Sequence, residues 1–493
     1  MTNSRNLGIL MLLVLWCVPA MGQEQPSPGT PIPAQPAPGG QQTPGAPGAP
    51  QAPTAQPTAP PTAGGDQAVQ PEQTPERTPL DSFAVASIEP ARVGPGLHRP
   101  RYVNALLSFS EQVDTNPAYV GTPVNGYEYT SNVAGTVTFE RRRRYADFML
   151  NYSGGGLIHK ENSDLDSSYH SLVTDLSWVK QRWHFVVRNE TSYTPESPFG
   201  FSGFAGGTAA GLASSLLPSQ SILSVSNRQV SSTAAGQIEY SASPHTSFTF
   251  MGNYGVLRFL DLGLVDSDQY SAGMGFNKEL SRRDTIALQY NYSNFKFLEQ
   301  LTTVDTHSWT LMYRHRLGER LSFELDAGPQ ITELGGLAAL GPLSSQLDSR
   351  LFRYTAGGSL AYHRNSTTIS LSALHGTTGG SGVFQGADTT TTGVSLRRTF
   401  RRGWTIETGG GYARNQLLIT PPGTPLTTYN TEYGKASVSR AIGRHVNAFV
   451  SYNVQNQDLP VAGCVGLACN NGLRHVFTAG FDWHYRPSGI GIE

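Results

Sequence analysis

From Arg101 onward, the sequence alternates apolar and polar residues with a period of two, which is the pattern of β-strands. Residues 321–327, for example, alternate Leu, Phe, Leu and Ala with Ser, Glu and Asp. Similar segments begin at Ile286, Val446 and Phe477. Each runs for about ten residues or slightly more, the length of a tilted strand that crosses a bilayer. The pattern predicts an all-β structure to near the end of the chain.

Two kinds of connection separate these segments in turn. Short basic or polar turns alternate with longer loops rich in Gly, Ser, Thr and Asp. A closed antiparallel transmembrane β-barrel needs this asymmetry, because one rim only reverses the chain while the other faces outward. We expect about eighteen strands within residues 101–486, an even number that places both termini on the short-turn side. The predicted turns are 141–143, 180–182, 243–245, 281–283, 318–320, 364–366, 401–403 and 443–445.

Composition argues against several other classes of protein. Charged residues are 14% of the chain, against about 25% in typical globular domains. No stretch approaches the ~20 apolar residues of a membrane-spanning helix. The 35 Lys and Arg residues are balanced by 36 Asp and Glu residues, so no basic excess points to nucleic acid. A soluble propeller or sandwich would not divide its connections into one rim of tight turns and one of long loops.

The first hundred residues predict export and a disordered arm. Residues 1–22 read as a signal peptide, with Arg5 before a short apolar run and a cut before Gln23. A lipoprotein signal at Cys17 is the alternative, although the bulky Trp16 precedes that cysteine. Residues 23–100 are rich in Pro, Ala and Gly and predict a disordered periplasmic linker. The linker could serve as a spacer or as a docking segment for a partner.

Two cysteines remain after the signal is removed. Cys464 and Cys469 lie five residues apart in a predicted loop. In an oxidising compartment this spacing favours a disulfide. A metal site is the weaker alternative, because two thiols without neighbouring histidines form half a site. We expect no cofactor, since the sequence contains no phosphate loop, dinucleotide fingerprint or metal cluster.

The last predicted strand carries the most specific motif. Its pattern of a polar residue, glycine and two aromatics is similar to the terminal strand of outer-membrane β-barrel proteins of porin size, and the similarity extends over residues 101–486. It implies outer-membrane localisation, contact with the lipid bilayer and recognition by the barrel-assembly machinery. The tail 487–493 departs from the family, whose members usually end on the aromatic residue. The motif residues are Thr478, Gly480, Trp483 and Tyr485.

Aromatic residues near strand ends, mostly beside a tight turn, predict an interfacial girdle. Its candidates are Trp178, Trp183, Trp309, Trp404, Trp483 and Tyr485.

The alternation also selects charged residues that would face the lumen. Acids outnumber bases seven to four in this set, which predicts a weak preference for cations. A shift of one residue in register would reverse any of these assignments. The candidates are Asp147, Arg188, Glu190, Glu239, Arg314, Glu324, Asp326, Arg353, Arg397, Glu407 and Asp482.

The third long loop, 195–227, is the longest connection. In porins the third loop narrows the pore, so the resemblance implies a constriction here. The loop is apolar and rich in small residues, which also suits a surface patch or a contact between subunits. The candidate constriction residues are Phe199, Phe201, Phe204, Leu216 and Leu217.

These features predict a porin-like channel for passive or weakly selective passage of small polar solutes. Two alternatives stay open: a barrel dedicated to exporting an exopolysaccharide, and a surface barrel whose loops adhere to partners. We do not expect an enzyme, because the histidines of the outer half share no catalytic spacing with the nearby acids. These histidines are His159, His170, His307 and His375.

Overall fold

The computed structural model contains eighteen β-strands. It describes residues 102–116, 127–161, 163, 166–195, 228–261, 264–298, 302–318, 320–336, 350–379, 384–400, 403–418, 428–458 and 472–485. Within these ranges, no helix is long and apolar enough to cross a membrane. The predicted signal peptide, linker and tail lie outside the described residues, as do Cys464, Cys469 and the constriction residues of the third loop. These five assignments stay predictions.

The strands follow one another around the barrel in chain order. Their bounds are β1 Tyr102–Asp114, β2 Glu128–Arg142, β3 Ala146–His159, β4 Ser167–Lys180, β5 Trp183–Thr194, β6 Gln229–Ser243, β7 Thr246–Phe259, β8 Ser267–Glu279, β9 Asp284–Phe297, β10 Thr303–Arg316, β11 Leu321–Gly335, β12 Arg350–Arg364, β13 Thr367–Thr378, β14 Ala387–Thr399, β15 Trp404–Leu417, β16 Thr428–Ile442, β17 Val446–Asp458 and β18 Gly472–Tyr485.

Every strand pairs antiparallel with its two neighbours, and the circle closes between β1 and β18. The closing register runs from Ala105 opposite Tyr485 to Asp114 opposite Val476. Among the described strands, closure leaves none at a free edge of the sheet, an arrangement that a bilayer does not tolerate. The predicted all-β closed antiparallel barrel is confirmed.

The two rims of the barrel differ as the sequence predicted. All eight short turns lie at the rim where β1 begins and β18 ends, here called the turn rim. The turn between β4 and β5 consists of Gln181 and Arg182, and that between β12 and β13 consists of Asn365 and Ser366. Gln181 and Asn365 adopt positive φ angles of 55° and 51°, which lets a two-residue turn follow the twist of the strands. The longer connections all lie at the opposite rim, the loop rim.

The outer face of the barrel is apolar and exposed. Leu325 is 54% exposed and Val450 is 60% exposed, whereas their neighbours Glu324 and Ser451 point inward and are buried. A soluble protein would bury the first pair and expose the second. This inverted pattern identifies the outer face as the lipid-contacting surface of a transmembrane barrel, an architecture of outer membranes.

Five of the six predicted girdle aromatics lie at the turn rim. Trp183 and Trp404 open β5 and β15, while Trp483 and Tyr485 lie at the end of β18. Trp309 is the exception, because it lies midway along β10. All six are at least 40% exposed, which places them on the outer face.

A buried ion pair joins the first and last strands on the inner face. The Arg474 Nε of β18 donates a hydrogen bond of 2.7 Å to Asp114 Oδ2 of β1. The backbone N–H of Asn116 donates to the other carboxylate oxygen, Asp114 Oδ1, at 3.0 Å. The side chains of Arg474 and Asp114 are 9% and 4% exposed, so losing either would leave a buried charge without its counter-ion.

We expect Arg474→Met to destabilise the barrel by about 3–5 kcal/mol, the cost of breaking a buried ion pair by removing one partner. The matched control is Arg350→Met on the outer face, because the Arg350 and Glu333 side chains of that pair are 60% and 42% exposed and an exposed pair contributes about 1 kcal/mol or less. Urea unfolding of the detergent-solubilised protein measures both. An equal loss of unfolding free energy in the two variants would contradict a special role for the Arg474–Asp114 pair.

Candidate functional site

The inner wall of the barrel is the candidate site. Strand alternation directs all eleven of the predicted lumen charges inward, on the face opposite the exposed apolar residues. Most of them form ion pairs or hydrogen bonds with residues of neighbouring strands. Their part in solute selection stays a prediction.

The first group lies on β4 and β5. The Arg188 guanidinium lies between two carboxylates, with Nε 3.8 Å from Asp175 Oδ1 and one terminal nitrogen 3.7 Å from Glu190 Oε2. The Glu190 side chain is only 1% exposed. Asp175 is a member of this group that the sequence candidates did not include. The arrangement holds a buried acid beside a cation, which offsets the cost of its burial.

Two further ion pairs lie on the inner wall. The Arg314 Nε donates to Glu324 Oε2 at 2.6 Å across β10 and β11, and Asp326 follows two residues later on the same face. One terminal nitrogen of Arg397 on β14 lies 3.2 Å from Glu407 Oε1 on β15. These pairs place opposite charges at the same level, so most of their field cancels within the lumen.

The four other candidates have different surroundings. Asp482 is 2% exposed and accepts hydrogen bonds from Ser108 and Asn447. Glu239 lies opposite His184 in the register, and Asp147 is exposed near the turn rim. Arg353 forms a close ion pair with Asp388, near the point where the pairing of β12 with β13 ends.

Most of the buried polar residues in the described strands are neutral. Of the thirty-three buried polar or charged residues among those described, only six are charged: Asp114, Glu128, Glu190, Glu324, Arg474 and Asp482. The rest are Ser, Thr, Asn and Gln, many of them hydrogen-bonded across strands. Thr389 donates to Asn415 at 2.9 Å, and Thr431 donates to Gln457 at 3.2 Å.

An apolar cluster lies inside the barrel at the loop rim. We call it the outer cluster, and its buried members are Phe295, Phe297, Val304, Leu334 and Leu418. They come from β9, β10, β11 and the residue that follows β15. Because β10 and β15 are five strands apart around the barrel, the cluster extends across part of the lumen. Its apolar side chains therefore occupy part of the lumen's cross-section at this rim.

The connection between β13 and β14 supports the outer cluster. Thr302 donates a 2.8 Å hydrogen bond to Gln385 of this connection, and Phe384 packs edge-on against Tyr429 of β16 with ring centroids 4.9 Å apart. Gly386 has a φ of +85°. This backbone angle favours glycine, and a Cβ there would press against the outer cluster, 2.8 Å from Leu418 Cδ1 and 3.0 Å from Val304 Cγ2.

The sequence prediction did not include the outer cluster, although a signal for it was present. On β9, Ile286 and Leu288 belong to the outward series, but Phe295 and Phe297 fall on the inward series. Two large apolar residues on the polar face of a barrel strand break the alternation. Such a break marks a place where the lumen is filled with side chains.

A salt bridge anchors the end of the third long connection. Arg228, which precedes β6, donates from its backbone amide to Asp261 Oδ2 at 2.6 Å and from its guanidinium to Oδ1 at 2.7 Å. Partial burial acts to raise the pKa of Asp261, but the bonds from Arg228 outweigh it and lower this pKa below its ordinary value. Asp261 therefore stays ionised at neutral pH and holds the start of β6 to the end of β7.

The histidines considered for catalysis do not lie together. His159 Nδ1 is 3.6 Å from Asp166, whereas His170 and His307 are hydrogen-bonded to Tyr152 and Tyr290 at 2.9 and 2.8 Å. His375 bonds Thr390 at 2.9 Å. In the described part of the chain, no three or more His, Cys, Asp or Glu side chains are grouped to hold a metal ion.

The terminal-strand motif lies where β18 meets its two neighbours. Gly480 and Thr478 face inward, while Trp483 and Tyr485 are 41% and 50% exposed on the outer face. A Cβ on Gly480 would lie 2.5 Å from the Phe109 carbonyl oxygen of β1. The glycine thus permits a close approach of the two strands that close the barrel.

Comparisons with known proteins give structural similarities alone. No protein-family model matches the sequence, and no curated protein matches it. Pseudomonas aeruginosa OpdK with vanillate is similar at a TM-score of 0.39 and 9% identity, over 78% of this chain and 99% of that one. Acinetobacter baumannii OccAB3 has a TM-score of 0.39 and 10% identity, over 78% and 99%. Pseudomonas aeruginosa OprD has a TM-score of 0.37 and 10% identity, over 78% and 95%.

Reducing the outer cluster should widen the lumen. We expect Phe297→Ala, at a side chain that is 0% exposed, to raise the ion current through single barrels in planar bilayers. Phe352→Ala is the matched control, because Phe352 is 77% exposed on the outer face and its removal leaves the lumen unchanged. An unchanged current in Phe297→Ala would show that the outer cluster does not limit passage.

Proposed function

We propose that the chain forms an outer-membrane channel for passive or weakly selective passage of small polar solutes. The observation that carries the proposal is a closed barrel that combines an apolar exterior with a polar, largely charge-paired inner wall. A wall of this kind supports water and hydrated solutes, while the exterior keeps the barrel in lipid. No catalytic role is proposed for any residue.

Weak selectivity follows from the arrangement of the charges. Arg188, Arg314 and Arg397 each lie beside an acid on a neighbouring strand. Paired charges give a smaller net field than a ring of one sign, so they discriminate weakly between cations and anions. Asp147 and Glu239 add negative charge toward the turn rim, which gives a small preference for cations.

Export of a polysaccharide is the second candidate function. The predominance of neutral amides and hydroxyls on the buried inner wall favours it, since such groups bond to sugar hydroxyls without a charge. For either function, we propose that the terminal strand is the segment recognised by the barrel-assembly machinery. Its support is the motif of Gly480, Trp483 and Tyr485 at the closing strand.

Swelling of proteoliposomes tests the channel directly. The purified barrel should admit neutral sugars at rates that fall with solute size, because the lumen is narrowed by the outer cluster. Protein-free liposomes are the control. No swelling with any solute would reject a channel and favour a surface barrel that only presents its loops. Loss of secreted polymer on deletion of the gene would instead favour export.

Locking the connection between β13 and β14 should restrict passage. We expect Thr302→Cys with Gln385→Cys, joined by a short reducible bis-methanethiosulfonate reagent, to lower the swelling rate, because the wild-type side chains lie 2.8 Å apart within the constriction. A reductant should restore the rate. This variant and its control below also carry Cys464→Ser and Cys469→Ser, so that the reagent reacts only with the introduced cysteines.

The matched control for this lock is Thr136→Cys with Ser153→Cys. These hydroxyls lie 3.1 Å apart on the neighbouring strands β2 and β3, so the reagent joins them along the wall. An equal fall in rate for both cross-links would show that the effect does not depend on the position of the cross-link beside the outer cluster.

Selectivity should depend on the acids of the inner wall. We expect Glu239→Gln to shift the reversal potential in a salt gradient toward zero, because it removes a lumen charge without changing size. Glu111→Gln is the control, since Glu111 lies on the outer face and bonds Lys160 at 2.9 Å. A reversal potential that is insensitive to Glu239 would place ion selection elsewhere.

A further inference from the structure

Three buried polar atoms on adjacent strands have no hydrogen-bond partner among the described residues. They are Gln289 Nε2 on β9, Thr306 Oγ1 on β10 and Gln330 Oε1 on β11. The three residues are 6%, 4% and 3% exposed. A buried polar atom without a partner costs free energy, so this grouping indicates where a ligand would supply hydrogen bonds. We call the three residues the neutral row.

The register places the neutral row at regular levels along β10. Gln289 lies opposite Thr310, and Gln330 lies opposite Ser308. Gln289, Gln330 and Thr306 therefore lie level with residues 310, 308 and 306 of β10, respectively. Steps of two residues along a strand are about 7 Å each, so the row covers about 13 Å along β10, or roughly 10 Å of the lumen's length once the strand tilt is included. This extent suits a short oligomeric solute.

The next level of β10 carries the outer cluster. Phe295 lies opposite Val304, so the aromatic ring lies one step from Thr306 toward the loop rim. The row thus supplies an amide donor, a hydroxyl and an amide acceptor, and the buried ring of Phe295 follows at the next level. None of these groups is charged.

We infer that the neutral row is a subsite for a neutral, polyhydroxylated solute, a short saccharide, within the channel. This inference rests on the proposed channel function and specifies its solute. Sugar hydroxyls both donate and accept, so they satisfy all three groups of the row. An ion would lose hydration against these three uncharged groups, and an apolar solute would leave the three atoms unpaired.

Block of single-channel current by maltotriose tests the subsite. We expect maltotriose to interrupt the current of the wild-type barrel, and Gln289→Met, Thr306→Val and Gln330→Met together to weaken this block by roughly tenfold or more, since three hydrogen bonds are lost. Open-channel conductance should stay near the wild-type value, because the substitutions are close to isosteric.

The matched control is Thr431→Val with Gln457→Met. This inner-wall pair is hydrogen-bonded internally at 3.2 Å, so its removal should leave the block unchanged. Equal weakening in control and triple variant would overturn the subsite. A second measurement uses the wild-type barrel alone and compares maltotriose with trilysine and triglutamate. Stronger block by either charged trimer would also overturn the inference, even if the triple variant fails to fold.

The two failures are distinguishable. Wild-type barrels that carry no current at all would reject the proposed channel together with its subsite. Wild-type barrels that carry current but show no block by maltotriose would reject the subsite alone.

Discussion

Pairing of every backbone amide and carbonyl within the protein is the constraint on which the structure depends. Lipid offers no hydrogen bonds, so a sheet survives there only as a closed circle. Closure requires β1 to meet β18, and the Asp114–Arg474 pair and Gly480 both lie at that meeting point. The apolar exterior and the polar inner wall then follow from the alternation of side chains along each strand.

The inner wall combines two kinds of polar surface. Ion pairs such as Arg314–Glu324 fix charges that neutralise one another, while most of the buried polar residues are uncharged. The outer cluster adds an apolar constriction at the loop rim. In the proposed channel, a solute must therefore tolerate a weak field, exchange hydrogen bonds with neutral groups and pass the apolar outer cluster. These requirements together favour small polar molecules over highly charged ones.

Much of the fold was predictable from the sequence, because strand alternation and turn chemistry are local. All eight tight turns and the number of strands agree with the structure. The set of residues that face the lumen was also predictable, because polar and apolar residues alternate along each strand, as Glu324 and Leu325 do on β11. The contact partners of these side chains were not predictable from the sequence. The contact of Asp175 with Arg188 depends on the register of two strands. The bond between Thr302 and Gln385 depends on how the connection between β13 and β14 is placed. Phe295 and Phe297 were overlooked because an apolar residue is expected to face outward in such a strand.

The Asp114–Arg474 pair also has a consequence for biogenesis. Its two residues are 360 positions apart in the chain. This sequence separation is nearly the largest that two residues of the barrel can have. Such a contact forms late, because the loop-closure entropy must be overcome first. Until β18 pairs with it, β1 keeps one open edge, which is a site for aggregation. The closing pair therefore forms only when the whole segment from β1 to β18 is available for folding.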